Sequence, residues 1–129
     1  MSARTVKNRS SRLNPLKVSS SYRAYVLDQL EELGDVTARS MFGGVGLYQQ
    51  GTFFGIIAGD LLYLKVDDTN RSDYERRASS PFKPYPHRPA TMQYYAVPVD
   101  VLESPMELAR WARKAIAAAE RVTAPRGRR

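Results

Sequence analysis

Cysteine is absent from the 129 residues, which excludes disulfides, thiolate metal sites, iron–sulfur clusters and a cysteine nucleophile. Histidine occurs once, as His87, and one imidazole is too few for the multi-histidine metal sites of hydrolases. Long apolar runs are missing as well. The longest, Phe53–Gly59, falls far short of the roughly 18 residues that suggest a membrane helix. Acid is missing from residues 1–21, which hold Arg4, Lys7, Arg9, Arg12 and Lys17 among serines and scattered apolar residues, with no helical or strand period. This stretch reads as a disordered basic arm. It lacks the apolar core of a secretory signal, although organellar transit peptides share its composition.

Twenty Lys and Arg stand against thirteen Asp and Glu, a net charge of +7 that invites a nucleic-acid reading. The distribution qualifies that invitation. Residues 1–21 carry five bases, and the closing RVTAPRGRR, residues 121–129, adds Arg121, Arg126, Arg128 and Arg129 as a second disordered basic tail. Residues 22–120 hold eleven bases and all thirteen acids, a balance of −2. Basic charge therefore belongs to two arms, and Arg4, Lys7, Arg9, Arg12, Arg126, Arg128 and Arg129 are the candidate nucleic-acid contacts. The 43% hydrophobic content is enough for one packed domain over residues 22–120.

Between the arms the periods are clear. Tyr22, Tyr25, Val26, Gln29, Leu30 and Leu33 recur at helical spacing, with Ser19–Ser21 available as N-cap and Gly34 placed to end the helix. Val36–Phe42, Val45–Gln49, Thr52–Ala58 and Leu61–Val66 read as strands joined by turns at Gly43–Gly44, Gln50–Gly51 and Gly59–Asp60. Such short connections exclude parallel crossovers, so the sheet is an antiparallel meander. A short helix carrying Tyr74 inward, a proline-rich loop around PFKPYPHRP and a strand over Thr91–Val97 follow. Ser104-Pro105-Met106-Glu107 is a capping box, and Leu108, Trp111, Ala112, Ala115, Ile116 and Ala119 trace the apolar face of a final helix. The sum is a two-layer α+β domain, with about five antiparallel strands and helices on one face.

Chemistry-bearing patterns are few. Met41, Phe42, Gly43, Gly44 and Gly46 form MFGGVG, but a strand follows rather than the helix a phosphate loop needs, so the glycines read as a tight turn or bulge. Asp67 and Asp68 follow Lys65 just before the short helix, where capping explains them better than acid–base chemistry. His87 reads as a solvent-facing loop imidazole. Nothing here suggests an enzyme, a cofactor or a metal. The paired aromatics Phe53–Phe54 and Tyr94–Tyr95 place one ring on each sheet face, which predicts aromatic surface opposite the helices. Such a surface suits a protein partner or a homodimer, and less well nucleic-acid stacking.

The ordered set RSMFGG, GLY, LYLKVDD and YY-x-VP, spread over residues 22–120 and closing on Trp111-Ala112-Arg113, resembles the N-terminal domain of the TfoX/Sxy family. The resemblance implies an α+β unit grouped with secretion-chaperone-like folds and similar in architecture to YjbR-type double-wing domains. It also implies a bacterial, cytoplasmic regulator of natural competence that acts as a co-activator beside a cyclic-AMP-responsive transcription factor. It supplies no catalytic residues. Met41, Phe42, Gly43, Gly44, Gly46, Lys65, Asp67, Asp68, Tyr94 and Tyr95 enter as family markers and as a candidate interaction surface. Full-length competence regulators of this kind carry a second, helical domain where this sequence continues as RVTAPRGRR. Two further readings remain open: a direct nucleic-acid binder using the arms, and a small-ligand site built from Gly43–Gly46, Lys65 and Asp67.

Overall fold

The computed structural model describes residues 17–83 and 93–123. Helix α1, Ser20–Gln29, starts where Ser19 Oγ accepts the Tyr22 N–H at 3.2 Å. Ser19 also donates its own N–H to Asp60 Oδ1 at 3.0 Å, and Val18 packs against the core. Residues that composition assigns to the arm therefore take part in the fold. Gly34, at φ +83°, reverses the chain into β1.

Strands β1 (Val36–Met41), β2 (Gly44–Gln49), β3 (Thr52–Ala58) and β4 (Leu61–Lys65) form the expected meander, and β5 (Tyr94–Ala96) pairs with β4 to complete a five-stranded antiparallel sheet in sequence order. Each of the first three connections has two residues with positive φ: Phe42–Gly43 at 52° and 87°, Gln50–Gly51 at 48° and 85°, and Gly59–Asp60 at 57° and 59°. That mirror-image turn matches the twist of the flanking strands, which is why two residues suffice. The first turn centres on Phe42–Gly43 rather than Gly43–Gly44, and Gly44 opens β2 opposite Met41.

Helix α2, Arg71–Glu75, is one turn long. Beyond it Pro81 bridges to Tyr95, Phe82 donates to the Tyr94 carbonyl at 2.7 Å and Ala96 to the Ser80 carbonyl at 3.0 Å, so this segment lines the outer edge of β5. An edge is where a sheet tolerates proline. Strand β5 is shorter than Thr91–Val97; Thr91 and Met92 lie outside the described residues. The four-residue helix α3, Val99–Leu102, has too little periodicity to be read from sequence. Helix α4, Pro105–Thr123, begins where the capping motif places it, but only half of the box forms. Ser104 Oγ accepts from Glu107 N at a long 3.5 Å, while Ser104 N donates to the Val101 carbonyl at 3.1 Å and Glu107 pairs with Arg110. It runs past residue 120 and takes in Arg121, which the charge pattern assigns to the tail.

The main core lies on the helical face, where Val26 of α1 and Leu30 at its C-terminal cap, Leu47, Phe54, Leu62 and Leu64 of the sheet, Tyr74 of α2 and Leu108 and Ala115 of α4 are buried together. Burial of each large side chain contributes roughly 1.5–3 kcal/mol. A bulge after Leu47 shifts the register so that Leu47 faces Gly55 and Tyr48 faces Phe53. Adjacent strand residues alternate, so Phe53 and Phe54 turn to opposite faces, as do Tyr94 and Tyr95. Opposite the helices, Ile56, Ala58, Phe82 and Tyr94 form a second, smaller core with Phe53 and Tyr63 against it. Ring centroids lie 5.1 Å apart for Tyr48–Phe53, 5.6 Å for Phe53–Tyr94 and 4.8 Å for Tyr63–Phe82. These rings pack at a tilt against one another, and Tyr48, Phe53 and Tyr63 stay partly exposed, so some of the aromatic surface that the pairs predict lies on this face. Burial pushes the Tyr94 hydroxyl up to about 12.

Candidate functional site

The marker residues fall at two ends of the sheet. At one end the β1–β2 hairpin carries Phe42 on its tip, 88% exposed and at left-handed φ 52°. That backbone suits Asn, Asp or Gly; a phenylalanine there is strained by about 1 kcal/mol and gains almost nothing from burial. The supporting residues explain the glycine pattern. Met41 folds over Gly46, where an added Cβ would lie 2.8 Å from Met41 Cε and 3.1 Å from Phe53 Cε1. Gly46 thus lets Met41 and Phe53 close over β2, Gly43 completes the turn, and Phe42 is left projecting.

At the other end β4 delivers Lys65, whose Nζ lies 5.3 Å from the centroid of the Tyr94 ring. The chain then turns through Asp67, Asp68 and Thr69. Asp67 Oδ1 accepts from Thr69 N at 2.9 Å and Thr69 Oγ1 at 2.6 Å, while Oδ2 accepts from Arg121 Nε at 2.8 Å. The Arg121 guanidinium and the Thr69 bonds hold the Asp67 carboxyl well below the usual carboxylate range. Asp68 pairs with Arg71 at 2.5 Å on the surface. Asn70, the residue before α2, makes no side-chain cap bond. Asp67 caps the turn that leads into α2: beside the Thr69 N–H on its Oδ1, its carbonyl accepts from Asn70 N at 3.2 Å and Arg71 N at 3.1 Å, so the capping expectation holds for Asp67.

Asn70 and Arg121 are the residues that sequence reasoning passes over. Asn70 is 1% exposed; its Oδ1 accepts from Asp67 N at 2.8 Å and its Nδ2 donates to the Lys65 carbonyl at 3.1 Å. It closes the turn after β4 from inside, and asparagine's fitness for such turns was the only signal. Arg121 bonds Asp67 and, at 2.7 Å, Thr69 Oγ1, tying the last turns of α4 to that turn.

The β ladders set the two ends roughly 15 Å apart, because Lys65 lies near the level of Tyr48 and two strands away from β2. The topology therefore does not bring Gly43–Gly46 together with Lys65 and Asp67. Tyr94 and Tyr95 divide between the two cores. Arg4, Lys7, Arg9, Arg12, Arg126, Arg128, Arg129 and His87 lie outside the described residues. Among the described residues no cluster of three or more His, Asp or Glu side chains could hold a metal, and no helix is long and apolar enough to cross a membrane.

An α+β domain with an open five-stranded meander, helices on one face and a projecting aromatic hairpin is the class that fold and markers define. The family profile described as TfoX N-terminal domain matches residues 28–119, and the chain belongs to that family. No curated protein matches the chain.

Proposed function

We propose that the chain is a non-enzymatic regulatory or adaptor domain that works in transcriptional regulation through protein–protein contacts, with a transcription factor as its partner. The observation that carries this reading is Phe42: a large apolar side chain held 88% exposed on a strained turn. Folding has no use for it there, whereas aromatic side chains on rigid supports concentrate binding energy at interfaces. The resemblance to competence regulators supplies the class of partner, a cyclic-AMP-responsive transcription factor. Cytoplasmic location follows from the same reading.

The test titrates the intact protein against the purified cyclic-AMP-responsive factor of its own cell. Binding is expected, with F42A weakening it by about tenfold or more while leaving the melting temperature intact. Equal binding by F42A, together with unchanged transcripts when the gene is deleted, would sink the proposal.

A further inference from the structure

Where the Lys65 end of the sheet meets the last turns of α4, the surface forms an open hollow of about 410 Å³ lined by Gly51, Thr52, Phe53, Lys65, Tyr94, Ala119 and Val122. Among the described residues its lining combines two aromatic and two aliphatic residues with the Thr52 and Tyr94 hydroxyls, and its one charge is the half-buried Lys65 ammonium. Lys65 reaches the Tyr94 ring but makes no ion pair within 4 Å among the described residues. Asp67, two residues away, is not free to neutralise it, because Arg121 and Thr69 already hold both of its oxygens. A cation beside apolar walls attracts an anion that can also bury apolar surface.

We propose that this hollow binds a small monocarboxylate with a flat apolar body. Its carboxylate meets Lys65 Nζ, and its body lies against Phe53, Tyr94, Ala119 and Val122. A monocarboxylate is favoured over phosphate because a dianion needs several charged donors, and among the described residues the lining offers one ammonium beside the Thr52 and Tyr94 hydroxyls. The volume sits at the small end of the roughly 300–1,000 Å³ range of ligand pockets, which suits a single ring and its acid. This site is independent of the Phe42 hairpin and stands or falls apart from the adaptor reading.

Phenylacetate is the probe, titrated into the intact ¹⁵N-labelled protein to millimolar concentration and followed by amide chemical shifts. Shifts are expected at Thr52, Phe53, Lys65, Tyr94, Ala119 and Val122, while benzylamine and inorganic phosphate leave these amides in place. K65M should weaken binding by about tenfold or more through loss of the charge-assisted bond. V122E, on a half-exposed position that the fold does not depend on, should do the same by offering Lys65 a competing carboxylate. Absence of shifts at these amides, equal response to benzylamine or phosphate, or undiminished binding by folded K65M or V122E overturns the proposal.

Discussion

Phe42 and Asn70 are each unusual for their surroundings, one an exposed aromatic and the other a buried amide. Asparagine tolerates left-handed backbone far better than phenylalanine, so F42N should stabilise the fold by about 0.5–1 kcal/mol in urea titration even as it removes the projecting ring. Asn70 is the reverse case. N70A leaves the Asp67 N–H and the Lys65 carbonyl without their partner, and should cost about 2 kcal/mol by the same measurement. Asp67 gives a pH signature. Its carboxyl titrates lower in the folded chain than in the unfolded one, so the stability it contributes is present above the ordinary carboxylate value near pH ~4 and is lost as pH falls below it. Urea midpoints of wild type and D67N should differ at neutral pH and converge in acid. Tyr94 acts at the other extreme: its raised hydroxyl contributes stability below about pH 10 that is lost as pH rises towards 12, and Y94F should flatten that alkaline loss.

At the scale of elements, the meander depends on close approach between strands. A Cβ added to Gly55 would meet the Tyr63 carbonyl oxygen and Leu64 Cδ2, both at 3.1 Å, and backbone cannot move aside. At Gly46 the nearest atom is the mobile end of Met41. G55A should therefore destabilise more than G46A, by about 1–3 kcal/mol against about 1 kcal/mol or less, read as midpoints of thermal or urea unfolding. The outer edge of β1 is guarded from the neighbouring helix: Arg23 of α1 reaches Ser40 Oγ at 3.3 Å and the Ala38 carbonyl at 3.4 Å. A charged side chain over a free strand edge discourages pairing with other chains. The other edge is lined by residues 80–82, so the open ladder of the described sheet lies along β1.

Charge is a property of the whole molecule. With Arg121 paired to Asp67, the remaining terminal bases are Arg4, Lys7, Arg9, Arg12 and Lys17 before the domain and Arg126, Arg128 and Arg129 after it, and residues 22–120 carry a slight acidic excess. Any attraction to nucleic acid should come from these arms. Affinity of the intact chain for duplex DNA should fall with salt at a log–log slope of about −0.9 per phosphate neutralised, and replacing Arg4, Lys7, Arg9 and Arg12 by Gln should flatten it. A slope unchanged by those substitutions would assign the contact to the folded face instead.

Local physics made much of this protein legible in its sequence. The helical spacing after Ser19, the capping box at Ser104 and the two-residue turns led to α1, α4 and the β1–β4 order, because each rests on neighbours in the chain. The family markers were legible too, as an ordered set of short motifs. The tertiary structure alone decided what those markers do. Residues within one motif separate: Tyr94 and Tyr95 enter different cores, and the hairpin and Lys65–Asp67 occupy opposite ends of the sheet. Residues distant in sequence converge, as Arg121 does on Asp67 and Val122 on Lys65. Periodicity reports which face a side chain takes on its own strand or helix. Strand register, the bulge at Leu47 and the path of α4 decide which side chains that face meets, and those depend on packing across the whole sheet.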